Sequence, residues 1–318
     1  MINTNRNQTN VIYIASIGRS GTTLLDSILG THPDMASVGE LHIWPHEIRE
    51  NGRLPTGAGV MIGDDPFWQE MQRQLNPLQQ KGPGVDYFRE SHDAGRTLRL
   101  ERLRDFESTS LSADVQALID QYASNTDSIY QTFLDVYESF EGARPTWIVD
   151  SSKDPYRLCW LARSKRFNLR VVHMVKHPNG FIYSVTKPHI HASHFAFPDR
   201  ILWTLRQSGA WSVRNHLIRK VATNHLRPAE SLTLRYEDLA RAPENAVESI
   251  CSLVDCSFDP SIVNDFRDGS RYAMAGNPMR QRTGGIYLDE KWKTQLPRSS
   301  RYLTQAITSF NKRKYGYQ

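Results

Sequence analysis

A short apolar, β-branched run, Val11-Ile12-Tyr13-Ile14-Ala15-Ser16-Ile17, breaks at Gly18 and passes through Arg19-Ser20-Gly21-Thr22-Thr23 into Leu24 and Leu25. Leu24, Leu25, Ile28 and Leu29 then recur at helical spacing, so the stretch reads as strand, small-residue loop and helix start. A helix that begins in such a loop directs its first N–H groups and the positive end of its dipole at whatever the loop encloses. Gly18 and Gly21 let the backbone approach an oxyanion closely. Ser20, Thr22 and Thr23 add hydroxyl donors, and Arg19 adds a full charge. The junction therefore reads as a seat for phosphate or sulfate; a turn that merely caps a helix is the plainer alternative.

It is not the common nucleotide-binding loop. A Walker A motif spaces its glycines by four residues and follows them with Gly-Lys-Ser/Thr. Here two residues separate Gly18 from Gly21, no lysine precedes Thr22, and the cation sits inside the turn as Arg19. Further short apolar runs, Trp147–Asp150, Leu169–Val175 and Ser231–Arg235, alternate with helical patterns. That alternation predicts an α/β fold with a parallel sheet flanked by helices, and a ligand site at the carboxyl ends of the strands. Residues from about 50 to 145 interrupt the rhythm with a Gly/Pro-rich loop and charged, helix-prone sequence, so a helical insertion is expected within a single domain spanning 1–318. A second helical stretch runs from about Asp199 to Asn224, and a Gly- and Arg-rich segment from about 268 to 298 reads as a long loop.

At 318 residues, with 23% charged and 39% hydrophobic positions, the composition is that of a soluble globular chain. A net charge of +5 suits an anionic ligand, yet the basic residues are not clustered with aromatics as nucleic-acid binding requires. Cys159, Cys251 and Cys256 form neither a disulfide framework nor a zinc pattern, which points to a reducing compartment. No apolar run approaches membrane-spanning length and Met1–Asn10 is polar, so a cytoplasmic protein without membrane association is expected.

Six segments together resemble the sulfotransferases that use 3′-phosphoadenosine 5′-phosphosulfate (PAPS), in particular the bacterial and tyrosylprotein-type branch. Arg19-Ser20-Gly21-Thr22-Thr23 is similar to their 5′-phosphosulfate loop. His32-Pro33, a short extended piece and Gly39-Glu40 match the arrangement that carries their general base, so the resemblance implies that role for Glu40. Lys153-Asp154-Pro155 resembles a segment whose lysine stabilises the migrating group, together here with Arg19. Val171–Val175 followed by Lys176-His177-Pro178 and, eight positions after Lys176, Ser184 is similar to the 3′-phosphate site; relatives carry arginine and aspartate where this chain has Lys176 and His177. Lysine keeps the charge but loses the bidentate fork. Tyr236-Glu237-Asp238-Leu239 resembles a segment whose tyrosine touches the adenine, and the stretch from Gly276 through Arg280 to Trp292 looks like a loop that closes over the nucleotide. In that loop Arg280 is the candidate second ligand of the 3′-phosphate, with Arg282 in reserve.

The resemblance implies a P-loop-like sulfotransferase fold and sulfuryl transfer from PAPS, without a metal, to a hydroxyl or less readily an amine of a small-molecule acceptor. Gly18, Arg19, Ser20, Gly21, Thr22 and Thr23 would hold the 5′-phosphosulfate, and Lys176 with Ser184 the 3′-phosphate. Two other readings stay open. Ile148-Val149-Asp150 also fits a magnesium-holding Walker B strand, which would make the chain a nucleotide kinase or NTPase. The Lys176-His177 departure fits a non-catalytic nucleotide binder. His189, His191 and His194 offer a metal cluster, an alternative base, or a loop at the acceptor pocket. The acceptor and the oligomeric state have no readable code.

Overall fold

The structure is a computed structural model, and it describes residues 8–44, 54–75, 100–187, 198–267, 269–276 and 284–318. Strand β1 (Asn10–Ser16) leads through the Gly18–Gly21 loop into α1 (Thr22–Leu29), and β2 (Met35–Gly39) returns to the sheet. Helices α2 (Pro66–Gln74) and α3 (Ala113–Glu141) follow, then β3 (Trp147–Lys153) and α4 (Pro155–Ser164). The chain continues through β4 (Asn168–Val175), α5 (Pro178–Thr186), the long α6 (Asp199–His225), β5 (Ser231–Arg235), α7 (Tyr236–Arg241) and α8 (Pro243–Leu253). Three helices complete it: α9 (Ser261–Asn264), α10 (Trp292–Gln295) and α11 (Arg298–Lys312).

The five strands form one sheet in the order β2-β3-β1-β4-β5, with every pairing parallel. Period-two alternation along β1 feeds two cores. Ile12 and Ile14 pack with Leu24, Leu25 and Ile28 of α1 on one face. Val11, Tyr13 and Ala15 pack with residues of α3 and α4, among them Phe133 and Trp160, on the other. The chain moves from β1 toward β3 on one side of the sheet and then to β4 on the opposite side, so a crevice opens at the carboxyl end of β1, where α/β sheets bind ligands.

The sequence places the strands well but ends one of them early. The apolar run stops at Asp150, whereas β3 continues through Ser151 and Ser152 to Lys153. The register of β3 against β1 shifts between Tyr13 and Ala15, a bulge that uses up the extra residues. Helix α11 is amphipathic but carries no long apolar run, and the residues it buries include Ser300, Thr304 and Thr308. Those hydroxyls meet α6, where Thr204 Oγ1 donates to Ser300 Oγ at 3.1 Å and Ser208 Oγ to Thr304 Oγ1 at 3.2 Å.

Candidate active site

The loop after β1 is bent by two left-handed residues, Arg19 (φ 69°) and Gly21 (φ 88°). Gly21 is the N-cap of α1, and no side chain caps that helix. Its first N–H groups lack intrahelical partners and point into the loop. Ser20 is fully buried and its hydroxyl has no partner among the described residues, a donor that a bound oxyanion would satisfy. A Cβ on Gly21 would sit 2.4 Å from Cδ2 of Tyr236, so the ring of Tyr236 rests directly on the loop and only glycine fits beneath it.

Two strand ends supply the next pair. Gly39 (φ 68°) closes β2, and segment 273–275 docks against it: Met274 N–H donates to the Val38 carbonyl at 3.1 Å, and Glu40 N–H donates to the Met274 carbonyl at 3.0 Å. A Cβ on Gly39 would meet Met274 O at 2.3 Å, so the close approach also requires glycine. Lys153 ends β3 in the left-handed region at φ 67°. A lysine in this conformation costs about 1–2 kcal/mol, held here by the surrounding sheet. The resulting direction brings Lys153 Nζ into an ion pair with Glu40 Oε1, with both side chains only partly exposed.

The end of β4 supplies the third group. Lys176 is 6% exposed, donates from Nζ to Ser184 Oγ at 3.2 Å, and lies 4.2 Å from the centroid of the Tyr236 ring. Among the described residues it makes no ion pair with a carboxylate. Burial pushes its ammonium down to about 8 against the opposing charges of Glu237 and Asp289, and Lys187 adds its repulsion. A buried cation left without a counter-ion is the arrangement expected of an anion subsite.

His177 turns out to preserve what an aspartate would do at that position. Its Nδ1 accepts from Asn179 N–H at 3.2 Å and so caps α5, just as the Asp154 carboxylate caps α4 through Tyr156 N–H and Arg157 N–H. Burial, then Lys312 and Lys293, hold the imidazole down to about 4, so it stays neutral and able to accept. The ring also stacks on Trp292, with centroids 4.6 Å apart. The exchange removes a charge and adds an aromatic contact to the C-terminal segment.

These groups converge on one cavity of about 390 Å³, within the range of small-molecule sites. Gly18, Arg19, Gly21, Thr22, Thr23, Glu40, Lys153, Lys176, Ser184 and Tyr236 all line it, and Ser20 lies buried beneath the loop. Arg280 and Arg282, like His189, His191 and His194, lie outside the described residues. Composition and spacing alone did not single out the remaining walls: Lys187, Phe266, Arg267, Tyr287 and Asp289 also line the cavity. For Lys187 the sequence does hold a signal, since it follows Ser184 by three positions on one helix face. Tyr287 and Asp289 fall in the stretch whose signal was its resemblance to a nucleotide-closing loop, whereas Phe266 and Arg267 come from irregular chain and have none.

Asp150, the Walker B candidate, faces elsewhere. It is fully buried, its Oδ2 lies 2.7 Å from Arg157 Nη2, and it accepts from Tyr130 Oη at 2.5 Å and Ser152 N–H at 2.8 Å. Burial opposes its ionisation, but the Arg157 charge and these hydrogen bonds outweigh it and hold the carboxyl below its ordinary value. A carboxylate committed in this way is structural and does not line the cavity.

The model of the sulfotransferase family matches residues 11–260, which span the phosphate loop, all five strands and the cations at their ends. The chain belongs to this sulfotransferase family. Among solved structures it is similar to the sulfotransferase domain of the olefin synthase of Synechococcus PCC 7002, at 22% identity and TM-score 0.57, with 98% of this chain and 96% of that chain covered. It is likewise similar to the sulfotransferase domain from the curacin biosynthetic pathway, at 23% identity and TM-score 0.54, with 98% of each chain covered. Sulfotransferase STF9 from Mycobacterium avium matches at 12% identity and TM-score 0.53, over 98% of this chain and 78% of that one. At such identities the likeness is one of fold. No curated protein sequence matches the chain. Among the described residues, no helix is long and apolar enough to cross a membrane.

Proposed function

We propose that this sulfotransferase takes its sulfuryl group from PAPS and delivers it to a hydroxyl of a small-molecule acceptor. The observation that carries the reading is the joint placement of Glu40 and Lys153 beside the Gly18–Gly21 loop, in the same cavity as the buried Lys176. Neither a base nor a second cation is needed merely to bind a nucleotide. The residues fit the donor: an unsatisfied Ser20 hydroxyl and an uncapped helix face its 5′ end, and Lys176 with Ser184 offers a separate anion subsite. Five cations and two carboxylates line the cavity, a surplus that matches a polyanionic ligand.

When bound, PAPS supplies an activated sulfuryl group on a good leaving phosphate. The chain supplies orientation and charge. Loop N–H groups and the Ser20, Thr22 and Thr23 hydroxyls hold the 5′ end, and Arg19 stabilises the sulfuryl oxygens. Lys153 Nζ exchanges Glu40 for the oxygens of the transferring group, which leaves Glu40 Oε1 free to take the acceptor hydroxyl proton. The Lys153–Glu40 contact thus keeps the base occupied until both reactants are in place.

Calorimetry of 3′-phosphoadenosine 5′-phosphate against ATP, ADP and AMP, with and without magnesium, tests the donor. Tight, magnesium-independent binding of the 3′-phosphorylated nucleotide is expected; equal affinity for AMP overturns the reading. Transfer of labelled sulfate from PAPS across a panel of alcohols, phenols and amines then identifies the acceptor class.

A further inference from the structure

Lys187 caps the C-terminus of α5, three residues beyond Ser184, and lines the cavity with Ser184 and Lys176. Its Nζ lies 3.9 Å from Oδ2 of Asp289, which enters from the opposite, irregular wall. The Lys187 side chain is 48% exposed, and a pair this exposed and this long contributes little to stability. Its position is more telling than its strength. The Lys187 and Asp289 charges both act on the buried Lys176, one pushing its proton off and the other holding it on. Lys187 alone pairs with Asp289, and both charges lie close enough to Lys176 to be felt there.

Resting on the donor reading above, we propose that Lys187 is a second cation for the 3′-phosphate and that Asp289 competes with the phosphate for it. The chemistry asks for such a group. A phosphomonoester carries about −1.5 to −2 charge at neutral pH. Lys176 brings one point charge and lacks the fork of an arginine. Lys187 makes good that deficit from the C-terminal end of α5, three residues after Ser184. Asp289 is held in place, because its Oδ1 accepts from Lys291 N–H at 3.1 Å. Its carboxylate therefore stays close to the incoming dianion and repels it. The pair sets an affinity lower than the cations alone would give, which favours release of the 3′-phosphorylated product after transfer.

The two members of one ion pair are thus expected to act in opposite directions, which a purely structural pair would not. Calorimetry with 3′-phosphoadenosine 5′-phosphate and with AMP, on Lys187→Gln, Lys187→Arg and Asp289→Asn, reads this directly. Lys187→Gln is expected to weaken the 3′-phosphorylated nucleotide about ten- to a hundredfold, in line with loss of a charge-assisted contact, while AMP changes less than twofold. Lys187→Arg restores binding, and Asp289→Asn tightens the 3′-phosphorylated nucleotide several-fold with AMP unchanged. Equal loss for both nucleotides in Lys187→Gln, or weaker binding in Asp289→Asn, overturns the proposal. Should wild type itself fail to prefer the 3′-phosphorylated nucleotide, the donor reading falls. Should wild type discriminate and Lys176→Ala abolish that discrimination while Lys187→Gln preserves it, only the Lys187 assignment falls.

Discussion

Replacing Lys176 by methionine should make the protein more stable and less able to bind its donor. Burial moves the Lys176 ammonium from its ordinary 10.5 to about 8, which at about 1.4 kcal/mol per tenfold is a cost of about 3 kcal/mol for keeping it charged at neutral pH. The Ser184 hydrogen bond and the Tyr236 ring return about 1–2 kcal/mol of this. Lys176→Met, similar in length and apolar, is therefore expected to gain about 1–2 kcal/mol at pH 7, a rise of about 2–4 °C in Tm per kcal/mol by calorimetry. The wild type carries the sign of the same effect. Its folded value lies below the unfolded one, so the unfolded chain binds more protons between the two, and stability rises with pH from about 8 to 10.5. Binding moves the other way. Lys176 is about nine-tenths protonated at pH 7 and about one-tenth at pH 9, so affinity for 3′-phosphoadenosine 5′-phosphate should fall about tenfold across that interval, with AMP nearly flat. Lys176→Arg should abolish the pH dependence, since arginine does not titrate there. A drop in Tm for Lys176→Met, or parallel pH profiles for the two nucleotides, refutes this account of the buried cation.

Glu40→Gln should leave nucleotide affinity near wild type and slow single-turnover transfer to a poorly acidic alcohol by about 10²–10⁴-fold, the usual contribution of a positioned base; full activity there removes Glu40 from the role. Gly21→Ala should abolish nucleotide binding, because its Cβ would meet the Tyr236 ring at 2.4 Å and its φ of 88° suits only glycine; Tyr236→Ala in the same chain should recover part of the fold stability measured by denaturant melts. Asp150→Ala strands the buried Arg157 guanidinium and should cost about 3–5 kcal/mol of stability in urea unfolding, whereas a magnesium-holding Asp150 would instead change nucleotide affinity in a metal-dependent way.

Much of the sheet was legible because parallel strands buried on both faces read as continuous apolar runs, as β1 and β4 do almost to the residue, while β5 at the sheet edge is mostly only partly buried. The cavity residues that follow those runs were legible for the same reason, since strand ends fix where a ligand sits. What escaped was whatever depends on backbone geometry or on hydroxyl packing. Lys153 reaches Glu40 only because a bulge and a positive φ turn it there, and Ser151-Ser152 look like the end of a strand. His177 read as a departure from aspartate, yet its Nδ1 performs the same capping with a neutral ring. Asp289 and Arg267 stand in irregular chain, where no periodicity marks a wall of the site.

Glu40 owes its seat to the carbonyl of Met274, a residue from near the opposite end of the chain. The Gly18–Gly21 loop is flanked by β1, α1 and β4, which are synthesised earlier, and only Tyr236 comes to rest on it from farther along the chain. Non-local contacts form slowly, and chains tend to fold from the N-terminus as they emerge. A ribosome-bound chain can thus acquire the sheet and the loop while Glu40 still lacks its anchor. The backbone seat of Glu40 is complete only once segment 273–275 has been synthesised and docked beside β2. A ligand that binds only the docked arrangement would stabilise it by mass action.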